Sequence, residues 1–266
     1  MTKARATAGG WQGMALRPRT LAAVALVLAA VTVGAGWAWG RLGPAPGQAA
    51  LAVAPGNAQS IVRRTEIAIA DAGAVWRRAM PGTLRAGYDD PGVVFFSRVT
   101  GSPCAGGMVS GPFYCAETGT AAFDLAFMDA LGGRLKTGRD LGLALYAVRL
   151  SAEHLQRQLG LLDAAALEMI GARRDERRAV GVRLALQADC LTGVWAAAAA
   201  PRIGPVSSEF YGQIVRSSRS LVADLARQGV RVPPRFDPLA AASGDERVTA
   251  FAAGYAGRGL SACTAA

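Results

Sequence analysis

The sequence predicts an α+β domain, mainly helical, behind a single N-terminal transmembrane helix. Three observations carry that reading. Residues 21–40, LAAVALVLAAVTVGAGWAWG, form an uncharged apolar run of twenty. Between residues 90 and 125, short apolar stretches bounded by glycine and proline read as strands. Beyond Phe127 apolar residues recur at helical spacing, most clearly from Asp140 to Gly160.

Residues 1–20 are basic, with Lys3, Arg5, Arg17 and Arg19 and no acidic side chain. At about 1.5 Å per residue, the run at 21–40 spans about 30 Å as a helix, the thickness of a hydrocarbon core. Trp37 and Trp39 stand near its end, where amphipathic rings favour the membrane interface. The basic flank should hold the N-terminus in the cytoplasm, so a single-pass anchor in the inner membrane would place the rest of the chain in the periplasm or outside the cell. A cleaved signal peptide is the alternative, with small residues at Gln48-Ala49-Ala50 for the cut. Either way the same domain is exported.

Residues 41–60, RLGPAPGQAALAVAPGNAQS, are rich in proline, glycine and alanine and read as a flexible linker. The folded domain is expected over 61–266. A helical pattern runs from Ile61 to Met80 through Ile67, Ile69, Ala72 and Val75-Trp76. Val93-Val94-Phe95-Phe96 reads as a short buried strand, and a second extended region runs from Pro112 to Leu125. Asp124 and Asp129 read as local capping or turn groups, and the mixed run from Arg173 to Arg178 as a solvated face. No internal repeat is present.

The net charge of +10 does not mark a nucleic-acid binder. Seven of the 29 basic residues, Lys3, Arg5, Arg17, Arg19, Arg41, Arg63 and Arg64, precede Glu66, the first acidic residue. The remainder sets 22 basic against 19 acidic side chains, too even a balance for a phosphate-binding surface. Cys104, Cys115, Cys190 and Cys263 suit an oxidising compartment, and spacing alone allows three pairings. The glycine-rich segment CAGGMVSGPFYC can turn back to join Cys104 with Cys115, which would leave Cys190 to Cys263. With no close CxxC pair, these cysteines do not read as a metal site.

In the helix from Asp140 to Gly160, Leu141, Leu145, Val148, Ala152, Leu155 and Leu159 alternate spacings of four and three, which makes one face a core face. Beside the stripe lie Arg149, Leu150, Glu153 and His154, the last being the only histidine in the chain. With no partner evident, His154 reads as a partly exposed helix residue, and it offers no base to a serine or cysteine nucleophile. Glu153, His154 and Asp189 are weak candidates for a metal site, because adjacent helix positions point about 100° apart.

Three blocks, Gly111-Pro112-Phe113-Tyr114-Cys115, Phe123 through Asp129, and Leu186-Gln187-Ala188-Asp189-Cys190 followed by Gly193-Val194-Trp195, resemble the neutral zinc metallopeptidase family of bacterial membrane-anchored proteins. The resemblance extends from Ile61 through Glu246-Arg247-Val248, Phe251 and Gly254-Tyr255 to Cys263. It implies a zincin-like fold and a zinc-dependent peptidase site. It also implies that two histidines and a glutamate in a His-Glu-x-x-His helix should stand where this chain has Arg149, Leu150 and Glu153, and a third ligand where it has Ala185. His154 falls one residue from the ligand position, and Asp189 is retained.

Zinc hydrolysis needs three protein ligands and a bound water made acidic by the ion. An arginine at a ligand position brings a fixed positive charge, leucine cannot act as a base, and alanine cannot coordinate. The expectation is therefore a catalytically inactive homologue with no cofactor, its zinc lost, and an Arg149–Glu153 salt bridge filling the vacated place. Such a protein would bind a peptide or an envelope protein, or regulate one. The alternatives are an active metallopeptidase with atypical ligands and a purely structural envelope module.

Overall fold

The structure, a computed structural model, describes residues 55–79, 87–102, 104, 107–230, 242–257 and 259–263. The basic N-terminus at 1–20, the transmembrane expectation at 21–40 and the linker expectation up to residue 54 lie outside the described residues. Among those described, no helix is long and apolar enough to cross a membrane.

Helix α1 spans Pro55–Ala79 and so begins six residues before Ile61. Proline suits a first helical turn, where a missing N–H costs nothing. Ile61, Ala68, Ile69, Ala72, Val75 and Trp76 are buried, but Ile67 is exposed. Ile67 and Ile69 are two residues apart, about 200° around the helix, and cannot share its inner face.

A three-stranded sheet has the order β1-β5-β4, with β1 at Gly92–Phe96, β4 at Phe113–Cys115 and β5 at Thr120–Asp124. β5 runs parallel to β1 and antiparallel to β4. Strands β2 (Thr100–Ser102) and β3 (Gly107–Val109) form a separate antiparallel pair. The run Val93–Phe96, expected to be buried, is an edge strand that is only half buried, with Val94 48% exposed. Val93 and Phe95 pack against the main core, whereas Phe96 joins a small outer cluster with Val109, Phe113, Cys115 and Ala122. The central β5 is instead covered on both faces, with Ala121 and Phe123 in the main core and Ala122 in the outer cluster, as alternation across a pleat places them.

The rest is helical: α2 (Leu125–Arg134), α3 (Arg139–Gln158), α4 (Leu161–Glu168), α5 (Arg174–Ile203), α6 (Ser208–Arg227), α7 (Gly244–Gly257) and a 3₁₀ turn at Leu260–Cys263. Asp124 caps α2 through the N–H groups of Ala126 and Phe127, as expected, and also accepts from the N–H of Arg98 and Gly111 and from Ser110 Oγ. Arg98 sits at φ 70°, so this buried carboxylate secures the one described non-glycine residue in left-handed backbone. Asp129 accepts from Arg139 at 2.7 Å.

Helix α3 is the axis of the core. Thirteen of its residues are buried, and it packs against α1, where Trp76 Nε1 donates to Ser151 Oγ at 3.3 Å. On its other flank, α5 and α7 approach closely enough for backbone to meet backbone. A Cβ on Gly193 would lie 2.1 Å from the Phe251 carbonyl oxygen, and one on Gly254 would lie 1.9 Å from that of Cys190. The Cys190–Cys263 disulfide locks the same crossing, and Cys104–Cys115 joins the β2–β3 region to β4; both pairings are those expected.

Candidate functional site

The positions singled out in sequence converge on the α3–α5 contact. Arg149 and Glu153 stand one turn apart on α3, and Asp189 and Ala185 one turn apart on α5. Arg149 meets Asp189, while Gln156 Nε2 donates to the Leu184 carbonyl at 2.9 Å and to Gln187 Oε1 at 2.8 Å. The two helices therefore run in opposite senses, and Ala185 lies at the level of Glu153.

Arg149 Nε donates to Asp189 Oδ1 at 2.9 Å, and its Nη1 to Glu153 Oε1 at 2.7 Å. The expected i, i+4 salt bridge exists, with its arginine 5% and its glutamate 16% exposed. Unlike the surface pairs, it is withdrawn from water, and a second acid, Asp189, faces the same guanidinium from α5.

Sequence reasoning missed two members of the cluster. Arg247 of α7 grips Asp189 with both arms, Nε to Oδ2 at 2.7 Å and Nη2 to Oδ1 at 2.8 Å. Tyr211 of α6 donates to Asp189 Oδ1 at 2.6 Å and stacks on Phe251, with ring centroids 4.1 Å apart. The available signal was the position of Arg247 one turn before Phe251, which puts both on the covered face of α7. Two arginines and two carboxylates make the cluster formally neutral, the condition under which buried charge is tolerated.

Burial of Asp189 opposes its ionisation, yet Arg247 and Arg149, with the Tyr211 hydroxyl, hold its carboxyl below the usual carboxylate range. Burial pushes Glu153 the other way, raising its carboxyl, and Arg149 offsets this only in part. Arg149 Nη2 and Arg247 Nη1 are buried without a hydrogen-bond partner.

The remaining candidates are placed elsewhere. Leu150 is buried in the main hydrophobic core. His154, expected to be partly exposed and without a partner, is buried and fully engaged. Its Nδ1 lies 2.8 Å from the Tyr114 hydroxyl and its Nε2 2.9 Å from the Asp89 carbonyl. The Asp89 carbonyl can only accept and calls for a proton on Nε2, whereas the Gln158 amide nitrogen, 2.6 Å from the same Nε2, can only donate to it. The correction has a simple cause: residue 154 is rotated about 100° from 153 and faces β4 and the segment before β1 rather than α5. Glu153, His154 and Asp189 therefore do not share one point.

These residues do not fit a zinc ion. Both oxygens of Asp189 are taken by arginine and tyrosine donors, Glu153 is bound by Arg149, and the guanidinium itself occupies the space between the two carboxylates. A cation arriving there would meet a fixed positive charge. Among the described residues, no group of three or more His, Cys, Asp or Glu side chains is arranged to hold a metal.

Comparison with known proteins gives this geometry a setting. Residues 4–265 match the family described as "Putative neutral zinc metallopeptidase". The chain is 33% identical over 109 residues to Uncharacterized protein YpfJ of Escherichia coli strain K12, covering 41% of this chain and 38% of that protein. It is 34% identical over 125 residues to Uncharacterized protein Rv2575 of Mycobacterium tuberculosis strain H37Rv, covering 46% and 39%. The match thus spans less than two fifths of either relative's length. No solved structure matches.

Proposed function

The chain belongs to the neutral zinc metallopeptidase family, and we propose that it is a catalytically inactive member, anchored in the inner membrane, whose exported domain works by binding a peptide or an envelope protein. One observation carries the inactivity: Arg149, buried between Asp189 and Glu153, stands where the family resemblance asks for a zinc ligand. The other positions agree with it. Leu150 can move no proton, and Ala185 offers no donor atom.

Export is supported by the apolar run at 21–40 and by two disulfides, which persist in oxidising compartments. Binding of an extended segment is supported by β1, which lies at the edge of its sheet with Val94 exposed, since such an edge can accept an added strand.

The test is metal content and peptidase activity of the purified full chain after incubation with zinc and desalting. Absence of both, in a cooperatively folded protein, is expected. Near-stoichiometric zinc with hydrolysis of an unstructured protein substrate would overturn the inactive reading. Crosslinking in intact cells, followed by capture from the envelope, then separates a binding protein from a purely structural module.

A further inference from the structure

We infer that the outer face of α1 lies on the anionic surface of the membrane that anchors the chain, so that the exported domain rests against phospholipid headgroups rather than standing free of them. The inference rests on the proposed anchor at 21–40. Only residues 41–54 separate that anchor from Pro55, where α1 begins. Fully extended they span at most about 50 Å, and as a flexible chain about 20 Å. The N-terminal end of α1 is therefore the end nearest the membrane. Arg64 Nη1 meets Asp140 Oδ2 in the first turn of α3 at 2.8 Å, and Trp76 meets Ser151 further along, so the two helices run in the same direction. The far pole of the domain then lies past the C-terminal end of α3, at α4 and the turn that follows it.

On α1, Ser60, Arg63, Ile67, Ala70, Ala74 and Arg78 recur at spacings of three and four and fall within about 80° of one another around the helix. All are exposed except Ala74, which is partly buried. Ile67 is the one large aliphatic side chain of α1 that the core does not take, at 59% exposed. Arg64 and Arg77 are engaged with Asp140 and Asp90, but among the described residues no carboxylate pairs with Arg63 or Arg78. Of the acids on this helix, Asp71 is held by Arg202 and Trp195 Nε1, and Glu66 is turned about 100° from Ile67. The stripe thus carries an aliphatic group between two uncommitted guanidinium groups. Guanidinium matches phosphate oxygens, and a helix face of this composition is suited to the plane of a lipid interface. Two arginines and one isoleucine would hold a membrane weakly from solution. The tether makes the contact intramolecular, so a weak contact suffices. Exposed apolar surface alone does not select this face: Leu167 and Ile170 are more exposed, at 70% and 75%, but stand at the far pole.

The experiment reconstitutes the full chain, carrying either Ala70→Cys or Ile170→Cys labelled with a nitroxide, into bilayers whose headgroups bear a nickel chelate. With phosphatidylglycerol mixed into phosphatidylcholine, relaxation of the label by nickel should be several-fold greater at position 70 than at 170. That excess should disappear in phosphatidylcholine alone and in Arg63→Glu with Arg78→Glu, a pair of exposed changes that should leave the melting temperature unmoved. Equal relaxation at the two positions in the anionic bilayer would overturn the inference. So would an excess that survives charge reversal or the neutral bilayer, because the tether alone would then explain it. Release of the chain from the bilayer by alkaline extraction would sink the anchor reading, and this inference with it. A retained chain with equal relaxation at both positions sinks the inference alone.

Discussion

Arg149 Nε and Asp189 Oδ1 meet at 2.9 Å with both side chains withdrawn from water, so the contact that closes the candidate site is also one of the most exposed to mutation in energetic terms. Replacing Asp189 by Asn keeps the shape but removes the charge that balances Arg149 and Arg247. Breaking a buried pair from one side leaves an uncompensated ion, at a cost of about 3–5 kcal/mol. Chemical denaturation of the Asp189→Asn chain should show a loss of that order. Asp140→Asn, which removes only the half-exposed partner of Arg64, should lose no more than about 1 kcal/mol.

The crossing of α5 and α7 gives a second prediction that depends on shape alone. Gly254→Ala would drive a methyl group into the Cys190 carbonyl, a backbone atom that cannot step aside without moving a helix. Overpacking of this kind costs about 1–3 kcal/mol or more. Gly181→Ala, in the same α5 but with no atom within 4 Å of the new Cβ, should instead stabilise by up to about 1 kcal/mol through helix propensity. Thermal melts of the two variants should shift in opposite directions. Equal shifts would mean that the close approach of the two helices is wrong.

How much of this was legible in the sequence follows from which signals are local. The spacing of Leu145, Val148, Ala152 and Leu155 set both the helix and its buried face. The glycine-rich segment before Cys115 pointed to the first disulfide. The i, i+4 relation of Arg149 and Glu153 gave their salt bridge. What stayed hidden depends on tertiary contact. Arg247 reads as one more charge in the first turn of a helix until α7 is laid against α5, and its partner lies 58 residues away. His154 looked unpartnered because Tyr114 and Asp89 reach it from a strand and a loop at 40 and 65 residues' distance. The strand at 93–96 looked buried because an apolar run carries no information on whether both faces will be covered.

The Cys190–Cys263 disulfide closes a long loop, with a sequence separation of 73, and pins the C-terminal turn to α5. Loss of such a bridge costs about 2–5 kcal/mol, mostly by freeing the unfolded chain. Cys190→Ser with Cys263→Ser should therefore lower the urea midpoint clearly. The Cys104–Cys115 pair, at a separation of 11, should matter less, because a short loop restricts the unfolded state less. A larger loss from the short bridge than from the long one would contradict this ordering.

His154 supplies the pH dependence. Burial lowers its pKa from 6.5, against the favourable backbone contact with the Asp89 carbonyl. The groups around it are Tyr114 on β4, Tyr88, Asp89 and Asp90 in the segment before β1, and Arg157 and Gln158 on α3. Because the folded-state pKa lies below the unfolded one, the unfolded chain binds the proton first. The contribution of His154 to stability is then fully present above pH 6.5 and is lost as pH falls from there through the folded-state value. Protonation would put a hydrogen on both ring nitrogens, so that Nδ1 must donate to the Tyr114 hydroxyl. Urea unfolding between pH 8 and pH 5 should show stability falling on the acid side. In His154→Gln, which keeps a polar group but cannot titrate, that part of the slope should vanish. A slope unchanged by the substitution would assign the acid sensitivity to the carboxylates and remove His154 from the account.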